Sequence, residues 1–218
     1  MFATSYPPKN APCNLQLARN FWSHILTRDT YGSRNALLTI RGISESDVTI
    51  IAELHARSWQ ASYRGILHDD YLDGPIFEER LTVWRERLSN PDPEYLGLIA
   101  LSNASVVGFA FAFEAHNDRW GTLLDNLHVA PEVRGQCIGT GLLAALADEL
   151  LRRRTDGGIY LWVFEANHRA RRYYERLGAE AVERCVIDAP GGGTVAEWLY
   201  AWGTIGELNA AIAAQSSV

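Results

Sequence analysis

Between Leu127 and Gly141 the chain reads Leu127-His128-Val129-Ala130-Pro131-Glu132-Val133-Arg134-Gly135-Gln136-Cys137-Ile138-Gly139-Thr140-Gly141. A strand-like run stops at Ala130-Pro131, a glycine-bearing loop follows, and a helical apolar stripe begins near Gly139. Such a loop presents backbone N–H groups at a helix N-terminus, where the unsatisfied donors and the helix dipole both favour an anion. Arg134 adds a planar cation suited to phosphate. By composition the stretch is an anion cradle. It has no lysine-threonine ending, so it is not a P-loop, and its glycines at 135, 139 and 141 do not fit G-x-G-x-x-G.

Composition narrows the chemistry further. Lys9 is the only lysine, which removes Schiff-base catalysis and a phosphate-loop lysine from the body of the protein. Cys13, Cys137 and Cys185 are odd in number and lie far apart, and the six histidines are scattered without an HExxH. That pattern fits a reducing cytoplasm and predicts neither a disulfide scaffold nor a metal site. A length of 218 residues with 47% hydrophobic and 21% charged residues allows one well-packed domain. No apolar run reaches the roughly 20 residues that span a bilayer, so no membrane association is expected. The net charge of −6 argues against nucleic acid as a partner.

The elements that must position the loop follow from periodicity. Residues 1–36 form a separate extension, with Lys9, Arg19, Arg28 and Arg34 against Asp29 alone. Its arginines also fit a transit peptide, but an accessory arm explains them more simply. A domain is expected over residues 37–203, with 204–218 as a C-terminal tail. Within it, strands are predicted at 37–41, 95–101, 106–114, 122–129, 159–164, 181–188 and 195–202. Helices are predicted at 47–59, 77–88, 139–153 and 168–177, and Leu142, Leu143, Leu146, Ala147 and Leu150 mark the buried stripe of the third. The aromatic-rich stretch 61–73 reads as a loop. The order β-α-α-β-β-β-α-β-α-β-β describes an α/β (α+β) sandwich of helices on a central sheet.

Two blocks carry a family resemblance. Val129-x-Pro131-Glu132-x-Arg134-Gly135-Gln136-x-Ile138-Gly139-x-Gly141-Leu142-Leu143 resembles the acyl-CoA loop of the GCN5-related N-acetyltransferase (GNAT) superfamily. Asn167-x-x-Ala170-x-x-x-Tyr174-Glu175-x-Leu177-Gly178 is similar to that family's segment after its fifth strand. Ile40-Arg41 with Asp47 is a weaker third match, and 58–67 looks like an acceptor-side loop. The resemblance implies a mixed, mostly antiparallel sheet flanked by helices, with a V-shaped splay between strands 4 and 5 that takes acetyl-CoA as co-substrate. It further implies that backbone groups of Leu127, His128 and Val129 pair with the pantetheine arm, as an added strand would. The diphosphate would rest on N–H groups of Arg134, Gly135, Gln136, Cys137, Ile138, Gly139 and Thr140. Asn167 would bond near the thioester with Ala170 beside it, and Tyr174 would protonate the leaving thiolate. A phenol is a sensible donor to a thiolate of comparable basicity. Cys137 stands where the family usually has glycine, placing a side chain beside the expected diphosphate; Ala179 replaces a usual aromatic.

The family has no fixed base, so the residues must speak for themselves. Period-2 alternation places Asp125 with Leu127 and Val129 on the strand bordering the expected reaction centre, and Asp125 leads the candidates. Glu114 and His128 follow, with His116 behind them. Trp59, Tyr63, Tyr71, Trp84 and Trp120 make the acceptor half aromatic, though aromatics there also serve as core. The expected reaction is direct transfer of acetyl to a primary amine of a small molecule. Alternatives are acetylation of a protein N-terminus and a non-catalytic acyl-CoA sensor. A homodimer is compatible with the sequence.

Overall fold

The structure, a computed structural model, describes residues 38–90, 92–155 and 157–215. The extension at 1–36 lies outside them. Strand β1 (Leu38–Gly42) leads through a single 3-10 turn (Glu45–Asp47) into α1 (Val48–Ser62). The turn is built by a capping arrangement: the Asp47 carboxylate accepts from the Ser44 amide at 2.9 Å and forms a two-pronged pair with Arg41, both contacts 2.8 Å. The Arg41 guanidinium and the Ser44 donors outweigh burial and hold the Asp47 carboxyl below its usual range.

Next come α2 (Asp69–Asp73), α3 (Ile76–Ser89), β2 (Tyr95–Ser102), β3 (Ser105–Asn117) and β4 (Gly121–Val129). After β4 the chain forms α4 (Ile138–Arg152), β5 (Ile159–Phe164), α5 (His168–Arg176), β6 (Glu180–Asp188), β7 (Thr194–Trp202) and α6 (Ile205–Gln215). The sheet order is β1-β2-β3-β4-β5-β7-β6, antiparallel at each step except the parallel pair β4 and β5. The mixed, mostly antiparallel sheet expected from the motifs is therefore present.

β3 shows how composition sorts the two faces. Phe109, Phe111 and Phe113 alternate with Gly108, Ala110 and Ala112. The rings pack under α1 and α3 with Ile51, Leu54, Leu81 and Trp84, whereas the small residues let α4 settle close, Leu142, Leu143 and Leu146 filling that side. Two stretches differ from expectation. Asp69–Asp73 is a short helix within the predicted loop. Residues 205–215 are a helix whose Ile205, Leu208 and Ile212 join the α4-side core, so most of the expected tail is part of the domain.

The parallel pairing of β4 with β5 is brief: only Thr122 with Ile159 and Leu123 with Tyr160 are in register. It begins where Gly121, at φ +79°, lies against Gly158 so closely that a side chain at 121 would overlap the Gly158 backbone. The Thr122 amide donates to the Gly158 carbonyl at 3.0 Å. Beyond this pinch the strands separate. Gly121→Ala is expected to destabilise the fold by about 1–2 kcal/mol from its left-handed backbone alone, with the overlap adding to that. A chemical denaturation midpoint equal to wild type would contradict this account.

Candidate functional site

The gap between the splayed strands is a cleft of about 600 Å³. Its walls are β4 from Leu124 to Val129, β5 from Leu161 to Val163, the loop and first turn of α4, and the inner face of α5. In β4 the register with β3 passes from Phe111–Asn126 to Ala112–Leu124, so Asp125 is the extra residue of a bulge. The bulge turns the strand just where pairing with β5 has ended.

Of the predicted site residues, Asp125, Leu127, His128, Val129, Arg134, Gly135, Cys137, Ile138, Gly139, Thr140, Asn167, Ala170 and Tyr174 all line this cleft. Gln136 does not. Among the described residues, the first intrahelical bond of α4 is Gly141 N–H to Cys137 O at 2.9 Å, and no side chain caps its N-terminus. The amides of Ile138, Gly139 and Thr140 therefore face the cleft end uncapped, as an anion site requires.

Three details depart from a plain reading of the motif. Arg134 directs its guanidinium to the acceptor side: Nε donates to Val129 O at 3.3 Å, and Nη2 to Ser58 Oγ at 3.2 Å and Ser62 Oγ at 3.0 Å. It ties the end of β4 to α1, while desolvation and the nearby Arg169 lower its pKa. The side-chain cations along the cleft come instead from α5, where Arg169, Arg172 and Arg176 recur at helical spacing. None of the three has a carboxylate partner among the described residues. The recurrence was visible in the sequence but was not singled out. Cys137, exposed at the N-cap of α4, adopts φ +59° and ψ 9°, the left-handed conformation that explains why glycine is usual there. Asn167 caps α5, its Oδ1 accepting from Ala170 N–H at 3.2 Å.

Tyr174 projects from α5 into the cleft and packs on Trp202 and Tyr173. Burial, reinforced by Tyr173 and Tyr63, raises its pKa far above a free phenol, so the hydroxyl stays protonated. Tyr173 lines the same cleft nearer the loop, its hydroxyl 3.3 Å from Thr140 Oγ1. The candidate bases fare unequally. Glu114 is held by Arg153 and by Thr155, the latter at 2.6 Å, and is not in the cleft. His116 bonds Tyr160 at 2.6 Å, also outside it. Asp125 lines the cleft, but its Oδ2 is engaged by Asn126 and by Arg87 at 2.7 Å. His128 bonds Ser58 Oγ at 2.9 Å and packs on His55 and Phe109. Burial, then Arg134 and Arg80, lower its pKa to about 3, which makes it a feeble base.

Residues 51–179 match the sequence profile of the acetyltransferase (GNAT) family. The chain belongs to that family, and so to the acyltransferases. The uncharacterized N-acetyltransferase YuaI of Bacillus subtilis (strain 168) is 27% identical over 135 residues, covering 60% of this chain and 74% of YuaI. PaiA N-acetyltransferase from Thermoplasma acidophilum, solved in complex with coenzyme A, superposes with a TM-score of 0.58 at 23% identity, covering 76% of this chain and 98% of that one. NAA60 of Arabidopsis thaliana, solved in complex with acetyl-CoA, gives a TM-score of 0.55 at 18% identity, covering 76% and 98%. The fold is thus that of the family, with the V-shaped splay in place.

Two outcomes follow from the site. Cys137→Gly is expected to raise stability by about 1 kcal/mol by relieving the left-handed backbone, and a lower unfolding midpoint would refute that. His55 and His128 are both held neutral when folded but protonate freely when unfolded. Between about pH 6.5 and 3 the unfolded state therefore binds more protons, and their contribution is full above 6.5 and lost as pH falls. His128→Gln should flatten the decline in melting temperature over that range, and an unchanged slope would refute the assignment.

Proposed function

We propose that this protein moves the acetyl group of acetyl-CoA to a primary amine of a small molecule by direct attack. The observation that carries the reading is the pairing of an unpaired β4 edge with a row of uncapped helix-start amides, both opening into one cleft. An extended amide-bearing arm can add to the first as a strand, and a diphosphate suits the second. The arginines of α5 supply further positive charge along the same wall. Relatives of this fold solved with coenzyme A or acetyl-CoA support that choice of donor.

The chemistry assigned to the chain is spare. A free amine lone pair attacks the thioester carbonyl carbon, the C–N bond forms, and the C–S bond then breaks. Tyr174, neutral because it is buried, gives its proton to the departing thiolate. The new amide nitrogen sheds a proton, which restores the tyrosine. Asn167 and Ala170 flank the thioester end. Asp125, tied to Arg87, holds the bulge and adds negative potential on the acceptor side.

A small acceptor is favoured over a protein N-terminus by the roof on that side. The β6–β7 hairpin packs onto the chain after α1: Gly191 abuts Tyr71 so tightly that any side chain would overlap its ring, and Gly193 lies near His68. NAA60 of Arabidopsis thaliana shares the fold, and a peptide panel is the direct comparison. CoA release from acetyl-CoA should appear with small amines and not with peptides bearing free N-termini; the reverse would replace this reading. Tyr174→Phe should lower kcat about 100-fold or more while acetyl-CoA still binds. Unchanged kcat would remove the proton-donor role.

A further inference from the structure

Two tyrosines stand side by side on α5, and they serve different parts of the cleft. Tyr174 packs on Trp202 within the α4-side core. The Tyr173 ring meets it edge-on, with centres 5.1 Å apart, and sends its hydroxyl to the start of α4, 3.3 Å from Thr140 Oγ1. A Cβ placed on Gly139 would be 3.6 Å from that hydroxyl and 3.6 Å from Val129 Cγ2. The phenol oxygen therefore hangs over the first turn of α4, where β4 has just ended and the Ile138, Gly139 and Thr140 amides are uncapped.

The two hydroxyls have a donor to spare. Tyr173 and Thr140 each carry one O–H, and the bond between them uses one of the two whichever way it points. Burial raises the Tyr173 pKa, so the phenol keeps its proton. The surroundings are cationic. Arg169, Arg172 and Arg176 share α5 with Tyr173 and line the same cleft. Asp125, tied to Arg87, is the only carboxylate among the described residues that line it. A spare donor between uncapped amides and arginines without carboxylate partners suits an anion that offers oxygens to both sides. Packing alone would be served equally well by a phenylalanine.

We propose that Tyr173 is a donor-binding residue: its hydroxyl, steadied by Thr140, donates to an oxygen of the acetyl-CoA diphosphate from the α5 side, while the α4 amides hold that group from the other. This rests on the acetyltransfer reading above and gives a second tyrosine separate work within it. Tyr174 acts on the departing sulfur. Tyr173 acts on a group that is the same before and after transfer. Its bond is therefore equally strong in the bound donor and in the transition state, and losing it raises KM without lowering kcat. Without a diphosphate the two hydroxyls satisfy each other, so neither is left stranded.

The test uses the full chain and compares acetyl-CoA with S-acetylpantetheine, which keeps the thioester and both amides but has no diphosphate. The acceptor is whichever small amine releases CoA fastest. Tyr173→Phe should weaken acetyl-CoA binding about 10-fold or more by calorimetry. It should raise KM to match and leave kcat at saturation and the melting temperature near wild type. With S-acetylpantetheine the same variant should show the kcat/KM of wild type. Thr140→Val should weaken acetyl-CoA binding in the same sense, and the double variant should lose less than the two single losses combined. Unchanged acetyl-CoA affinity in Tyr173→Phe would overturn the assignment and reduce the hydroxyl pair to a tie between α4 and α5. An equal loss with both acetyl donors, or a fall in kcat with binding intact, would overturn it as well, leaving acetyltransfer standing. Absence of acetyl-CoA binding by wild type would overturn the parent reading, and this inference with it.

Discussion

Everything at the site depends on how little of β4 is allowed to pair with β5. Two residue pairs are in register, pinned by Gly121 against the Gly158 backbone, and then the strands part. An unpaired strand edge inside a sheet is ordinarily a liability, since its N–H and C=O groups lose water without gaining partners. Here it faces a cleft, and the bulge at Asp125 turns the strand away before the edge could close. The defect persists because the outer strands are well anchored: β5 pairs along its whole length with β7, and α4 and α6 bind both halves of the sheet into one core. The open V is thus held by closed structure on either side.

The positive charge along the cleft comes largely from one face of one helix. The protein as a whole is acidic, with a formal charge of −6, yet the cleft wall formed by α5 carries Arg169, Arg172 and Arg176. Arginine remains protonated at any working pH. Two histidines nearby, His55 and His128, are kept neutral by burial and by surrounding arginines. His55 accepts from the Trp84 indole N–H at 3.1 Å, and that bond is available only to an unprotonated ring nitrogen. Arg134 braces α1 against β4 through Ser58, Ser62 and the Val129 carbonyl.

How much of this was legible in the sequence varied with the kind of information involved. The loop before α4 and its apolar stripe were readable because glycine, proline and leucine at fixed offsets constrain the backbone directly. Nearly all the residues named from the two motif blocks line the cleft, since both blocks lie on short segments whose backbone follows from local pattern. Direction was not readable. Nothing in the residue type of Arg134 says that it turns to Ser58 and Ser62, 76 and 72 positions away. Helix α6 was missed because its Ala-rich run has little polar contrast, and only contact with α4 reveals its apolar side. Glu197 looked like any polar residue on an alternating strand; that it is buried with the Cys185 thiol as its side-chain partner appears only once β6 and β7 are in register.

Cys137 illustrates how a local conflict is tolerated at a working surface. A non-glycine residue at φ +59° costs on the order of 1 kcal/mol, and nothing in the fold offsets it there: the thiol is exposed and caps no amide. The neighbouring Gly135 is also left-handed, at φ +84°, with open space where a side chain would be. The loop's course thus passes through two left-handed residues, Gly135 and Cys137, just before the uncapped amides at the start of α4. The requirement that overrides local preference is the aim of the backbone N–H groups. A side chain at 137 is acceptable so long as it points to solvent and leaves those donors clear.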